Sequence, residues 1–459
     1  MQLLVRKRTK QRAVGRAFVS MLLALTLLLT AALPAQAADG LDGLRKMEAG
    51  IVSWMRTEGG EEQLLAGEVL DGAGGGASDW IAFDISRMGI EDNQAAYLSR
   101  LKETVEEIYQ EPEQAKKSFR LSDVYRMILT IEACGGDPTA FGTDPEGGSI
   151  DLVRDFIWNS IWGAPGDQGI NGYIWALIAA DSRDWEEPED AVWTREKLVQ
   201  ALLERQLADG GFGLALTDKA DVDLTSMTLT ALAPCQEDEK SYTFTSAVTK
   251  EEVTTTVAEA AAKAFSCIAA MQAEDGSMLT YGERTSESTS WAMLALASWG
   301  RDPETDADFT REGHTLADGL AGFVLPDGGI VHSLDGEDAE TEGNTMAGYQ
   351  AAYALEAVCR LKEGQCRLFD LSDAPTVSEE EIEAAGEKLP PRASQDDSSQ
   401  EKSEAEVAET VGSRTILITG CVAAAVVLLV ILFLALAMKE RRKNGPKAYD
   451  ETDDEDDDW

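Results

Sequence analysis

Histidine is nearly absent from this chain, with two among 459 residues. Neither His314 nor His332 has a cysteine at ligand spacing, so no zinc centre is expected. Cysteine is scarce too. Cys421 lies in an apolar run, and Cys134, Cys235, Cys267, Cys359 and Cys366 are spread too thinly for a disulfide scaffold. Cys359 and Cys366 could pair; a set of buried free thiols is the alternative. Basic residues are outnumbered, 40 Lys and Arg against 83 Asp and Glu, giving a net charge of −43. That excludes nucleic acid, whose phosphates need a basic surface, and direct docking on anionic lipid. Cationic ligands remain open. Strand-like alternation is missing as well, which points away from a β fold.

The two ends of the chain carry addresses. Residues 1–37 read as a signal peptide: a basic run, the apolar stretch SMLLALTLLLTAAL, and small residues at AQA-AD, with cleavage after Ala37. Residues 415–438, TILITGCVAAAVVLLVILFLALAM, are long enough at 1.5 Å per residue to cross a ~30 Å hydrocarbon core. The cluster KERRK at 439–443 marks that side as cytoplasmic. The expected protein is a single-pass cell-membrane protein. Its N-terminal domain is extracellular, and a cytoplasmic acidic tail occupies 439–459. Residues 375–413 are rich in Glu, Ser and Pro without apolar periodicity and read as a disordered acidic stalk.

Residues 38–374 hold about twelve helix-like segments: 41–57, 78–89, 92–110, 121–134, 150–160, 170–182, 193–207, 223–234, 251–272, 286–299, 307–323 and 344–362. They alternate in character. The odd ones are amphipathic, as in TREKLVQALLERQ, where Leu198 and Leu202 share a face. The even ones, such as NGYIWALIAA and STSWAMLALASW, are apolar all round and so are expected to be buried on every side. Six outer and six inner helices predict an all-α fold, an α6/α6 ring of helical hairpins, plus one transmembrane helix.

Each inner helix opens on polar residues that suit helix caps. A ring of parallel inner helices would gather all six starts, with their positive dipole ends, at one mouth. The candidate ligand-binding residues there are Asp79, Trp80, Asp123, Tyr173, Asp223, Thr225, Glu287 and Trp291. Capping gives each acidic or hydroxyl residue of the set a purely structural use as well.

The stretch QLADGGFG at 206–213 recurs as QAEDGSML at 272–279 and LPDGGIV at 325–331. Each follows one helix and leads to the next, so a turn at the joint of a hairpin is expected, with glycine supplying positive φ. Q-x-x-D-G-G-F-G in this context resembles the repeat of the prenyltransferase and squalene/terpene cyclase superfamily. GASDWIAFDISRMGI, YRMILTIEACGGDPTAFG, QGINGYIWALIAADS, ADVDLTSMTLTALAP, SESTSWAMLALASWGRDP and the block 344–373 resemble successive segments of a clostridial-type bacterial surface-protein group with prenyltransferase-like α/α toroid domains. That group is similar in fold to transcobalamin-type vitamin B12 carriers. The resemblance spans roughly 45–374 and implies the toroid and an exported location.

The resemblance does not bring chemistry with it. Class II cyclases use D-x-D-D, and the nearest match here, Asp221-Val222-Asp223-Leu224, lacks the last carboxylate. The zinc set of protein prenyltransferases is missing, and a thioester C-G-E-Q is replaced by Ser78-Asp79-Trp80. No β-rich second domain follows residue 374 to clasp a corrinoid. The acidic loop 335–344 lacks EF-hand spacing. No cofactor or metal is expected. The expectation is non-catalytic binding of a small ligand, glycan or surface protein. An α/α6 carbohydrate-active enzyme and an adhesive scaffold are the alternatives.

Overall fold

A computed structural model describes residues 40–216, 219–335 and 341–392. The expected leader, the expected stalk from residue 393 on, the apolar segment 415–438, the tail and residues 336–340, half of the acidic loop, lie outside those residues. Among the described residues no helix is long and apolar enough to cross a membrane.

The described chain is mostly helical. In order it forms α1 (Gly40–Gly59), α2 (Gly67–Asp71), α3 (Gly76–Arg87), α4 (Gln94–Gln110), α5 (Pro112–Ser118) and α6 (Leu121–Ala133). A π-helical turn at Val153–Trp158 and a 3-10 turn at Pro165–Gln168 precede α7 (Ile170–Ala180), α8 (Arg195–Leu203) and α9 (Val222–Leu232). Then come β1 (Ser241–Thr245), β2 (Glu252–Thr256), α10 (Val257–Ala269), β3 (Met278–Thr280), β4 (Glu283–Thr285) and α11 (Ser286–Ser298). The last elements are α12 (Leu316–Ala321), α13 (Thr345–Glu363) and α14 (Glu379–Gly386).

Six helices form a closed cycle. In the sequence α3, α6, α7, α9, α11, α13 each packs on the next, and α13 returns to α3. These are the segments that read as apolar on all sides; α11 is buried at every position. The amphipathic α1, α4, α8, α10 and α12, together with the π-helical turn, each pack on a member of this cycle. Burying apolar surface at about 25 cal/mol per Å² is what holds both sets together.

The three D-G corners are the same turn. Gly210, Gly276 and Gly328 have φ of 92°, 91° and 96°. In each, the carboxylate two residues before the third corner position accepts that residue's amide: Asp209 from Gly211, Asp275 from Ser277, Asp327 from Gly329. Gln206 and Gln272 tie the first two corners to the next hairpin by donating to Ala260 O and Phe309 O. Phe212 is buried beneath its corner.

Two short hairpins depart from the all-helical expectation. β1 pairs antiparallel with β2, and β3 with β4. The helix expected from 251 begins at 257, because Thr256 and Glu259 form a capping box there and the β-branched EVTTT before it joins β1. The segment expected to begin a disordered stalk is folded as far as Pro390. The Val377 amide bonds to Gly135 O at 2.8 Å, Ile382 is buried, and α14 packs on α4.

One end of the cycle is covered. After α13 the chain crosses the C-terminal ends of the inner helices as a strap, with the Leu371 amide on Ser182 O at 2.7 Å and Leu368 O accepting from Arg87 Nε at 2.9 Å. Phe369 of the strap points inward against Phe83 and Trp175, with ring centroids 5.4 and 6.0 Å away.

Candidate functional site

Above Phe369, four aromatic rings from four inner helices contact one another in a closed loop. Trp80 and Trp175 lie 5.2 Å apart, Trp175 and Trp291 6.1 Å, Trp291 and Tyr353 5.3 Å, and Tyr353 and Trp80 5.9 Å between centroids. All four line a cavity of about 350 Å³ at the helix-start end, whose other lining residues include Asp223, Glu287, His332 and Gln350. The size falls within the range of small-ligand pockets. Two larger depressions, about 710 and 540 Å³, lie elsewhere. The first is lined largely by the 54–69 segment and the second by side chains already ion-paired, such as Arg45, Glu356 and Arg360. Neither gathers several aromatic rings beside carboxyl groups with an open buried oxygen.

Of the eight residues expected at the mouth, Trp80, Asp223, Glu287 and Trp291 line this cavity. The other four are engaged in holding the fold. Asp79 is fully buried and accepts from Gly74 N at 2.9 Å, Tyr97 Oη at 2.6 Å and Arg126 Nε at 3.0 Å. Burial raises its pKa against the pull of Arg126. Asp123 accepts from the Arg120 amide and from Arg126 Nη1, each at 2.7 Å. Tyr173 faces the outer layer, with Trp193 at 5.6 Å and the Arg205 guanidinium 4.4 Å over its ring. Thr225 is fully buried and locks the first corner: its Oγ1 accepts from Phe212 N at 2.9 Å and donates to Phe212 O at 3.1 Å.

Capping was expected to account for the mouth carboxylates, and for two of them it does not. The cap of α9 is Asp221, which accepts from Leu224 N at 3.0 Å, and the cap of α11 is Thr285. Asp223 and Glu287 each come two residues after their cap and have no helix amide to serve. Burial pushes the Asp223 carboxyl up to about 7 against a hydrogen bond from Ser288, with Asp221 and Glu287 adding to the rise and His332 opposing it. Glu287 Oε2 lies 2.8 Å from His332 Nδ1 and accepts from Ser286 Oγ at 3.1 Å. Its Oε1 and Asp223 Oδ1 are buried with no hydrogen-bond partner among the described residues.

Sequence reasoning missed Trp175, Met227, His332, Tyr349, Gln350 and Tyr353. A positional signal existed for some of them. Trp175, Met227, Trp291 and Gln350 each stand sixth in their helices and Trp80 fifth, so aligning the inner helices by their starts identifies the cavity-facing register. Tyr173 lies about 200° around the helix from Trp175, on the opposite face. His332 is supplied by a loop, and no local pattern announces it.

The cysteines at 134, 235, 267, 359 and 366 are all free thiols, and burial pushes Cys134 and Cys359 up to about 12. Among the described residues no group of three or more His, Cys, Asp or Glu side chains is arranged to hold a metal ion. No protein-family model matches the chain, and no curated protein matches it.

Proposed function

We propose that this chain is an extracellular α6/α6 toroid, anchored in the cell membrane by residues 415–438, that binds a small ligand at the mouth of its inner helices. The toroid reading draws on the closed cycle of six apolar helices with an amphipathic partner on each, and on the resemblance to clostridial-type toroid surface proteins. The binding reading is carried by one observation: the helix-start end opens on a cavity of about 350 Å³ lined by aromatic rings and by two carboxyl groups, each with one open oxygen, rather than on packed side chains. A scaffold needs no such cavity. It would also gain stability by filling it, since buried acceptors left open cost about 1–3 kcal/mol each.

A thermal-shift screen of the full chain against amines, glycans, corrinoids and divalent metals tests this, with Met346→Trp, at the exposed rim, as a plugged control. A ligand that binds the native state raises the melting temperature by mass action. The shift should appear in the parent and vanish in the plugged variant. A shift that survives the plug moves the site elsewhere, and silence across all four classes supports the scaffold.

The alternative of a carbohydrate-active enzyme draws on Asp223, a carboxyl with its pKa near neutrality, sharing the cavity with Glu287 and three tryptophans. Release of nitrophenol from aryl glycosides, abolished by Asp223→Asn, would establish it.

A further inference from the structure

The class of ligand follows from what the cavity offers and what it withholds, given that the cavity is the binding site. It offers acceptors. Asp223, Glu287 and Gln350 all line it, and their Oδ1, Oε1 and Oε1 atoms are buried with no hydrogen-bond partner among the described residues. Glu287 as a whole is 6 % exposed, so bulk water does not serve its open oxygen. It offers little positive charge: no lysine or arginine is among its described lining residues, and His332 is bonded to Glu287. Trp80, Trp175, Trp291 and Tyr353 line it as well, and cations sit favourably within about 6 Å over the face of such rings.

Acceptors and ring faces therefore ask for the same partner. A neutral polyol would satisfy the acceptors and stack on the rings, but it would leave the carboxylate charge uncompensated. A bare metal ion would lack a ligand set. We propose that the cavity takes an organic ammonium ion, a primary amine on an aromatic or apolar body. Its N–H groups bond to Asp223, Glu287 and Gln350, and its body lies against the tryptophans. Charge-assisted bonds of this kind are roughly twice as strong as neutral ones, and the ammonium carries three donors for the three open acceptors.

The test compares 2-phenylethylamine with 2-phenylethanol, which share a body and differ in the ammonium and hydroxyl groups. Both, with cellotriose as a neutral sugar, are titrated into the purified full-length chain at about pH 8, where Asp223 is in its carboxylate form. Tryptophan fluorescence and calorimetry read the binding. The amine is expected to bind about tenfold or more tighter than the alcohol. Asp223→Asn and Glu287→Gln should each remove most of that preference without weakening the alcohol, at melting temperatures close to the parent's. Trp291→Leu should weaken both probes. Equal affinities for amine and alcohol would overturn the ammonium class and leave the ligand site standing. So would an amine indifferent to both carboxamide variants, or cellotriose binding where the amine does not. No response to any probe, in a chain that also stays silent in the wider thermal screen, would overturn the site itself.

Discussion

Replacing Thr225 with valine asks whether the corner or the cavity has use of this residue. Valine keeps the shape and removes the hydroxyl. That hydroxyl accepts from Phe212 N at 2.9 Å and donates to Phe212 O at 3.1 Å, both in buried surroundings. Phe212 O retains a second donor, the Asp221 amide at 2.9 Å. The Phe212 amide has no other acceptor among the described residues. Stranding one buried N–H costs about 1–3 kcal/mol, and losing the second bond about 0.5–1 kcal/mol. Burying a methyl in place of the hydroxyl returns up to about 0.8 kcal/mol. The net expectation is a loss of about 1–3 kcal/mol, seen as a lower urea midpoint at unchanged slope, with Thr225→Ser restoring most of it. Ligand affinity of the folded variant should not change. A stability within about 0.5 kcal/mol of the parent would refute the reasoning. So would a loss of ligand affinity at parental stability, because that would turn the hydroxyl toward the ligand.

Two further substitutions test the joint and the seam. Gly276 and Gly282 share a φ of 91° and 94°, but a Cβ on Gly276 would sit 2.1 Å from Thr315 O while one on Gly282 meets nothing within 4 Å. Gly282→Ala should therefore cost about 1–2 kcal/mol for the left-handed backbone alone, and Gly276→Ala substantially more in the same urea titration; equal losses would discredit the steric account. Asp84 has both oxygens buried without partners among the described residues, and burial, with the fields of Glu48 and Glu356, holds its pKa well above the usual range. Its folded form keeps a proton that the unfolded chain has released, so the stability it supports is present at low pH and lost as pH rises toward its folded pKa. Asp84→Asn should flatten the decline in melting temperature as pH rises above the ordinary carboxylate range, and parallel curves would count against the assignment.

Much of the helical order was legible because it rests on local signals. The apolar all-round segments 223–234 and 286–299 announced burial by composition, and the structure places α9 and α11 within a residue or two of them. Gly210, Gly276 and Gly328 announced a repeated turn because few other residues adopt a φ near 90°. The hairpins were not legible as such: SYTFT and EVTTT are five residues each, and the second runs straight into a helix whose pattern absorbed it. The fold of 375–390 was hidden because one fully buried apolar residue, Ile382, and the exposed-looking EEEIEAAG of α14 suffice, with Val377 packed on the core, once α4 offers a surface. At the site, Trp80 and Trp291 were found because they stand near helix starts that read clearly. His332 needed tertiary structure, because its place beside Glu287 spans 45 residues of chain.

The position of the cap separates acids that serve the fold from acids that are surplus to it. An acidic residue in the first turn of an inner helix has two fates here. At α6, Asp123 is drawn back to the Arg120 amide and paired with Arg126, and at α3 Asp79 accepts from Gly74 and Arg126. At α9 and α11 an upstream Asp221 or Thr285 has already capped the helix, so Asp223 and Glu287 arrive with no backbone donor to meet. A surplus buried carboxylate is a net cost to stability unless a cation compensates it or a proton neutralises it. The inner arginine of this end, Arg126, is committed to Asp79 and Asp123, and the lining of the cavity supplies none. Within the chain, His332 answers Glu287 and a proton can answer Asp223; on the binding proposed above, the cavity beside them is where an external cation would do so instead.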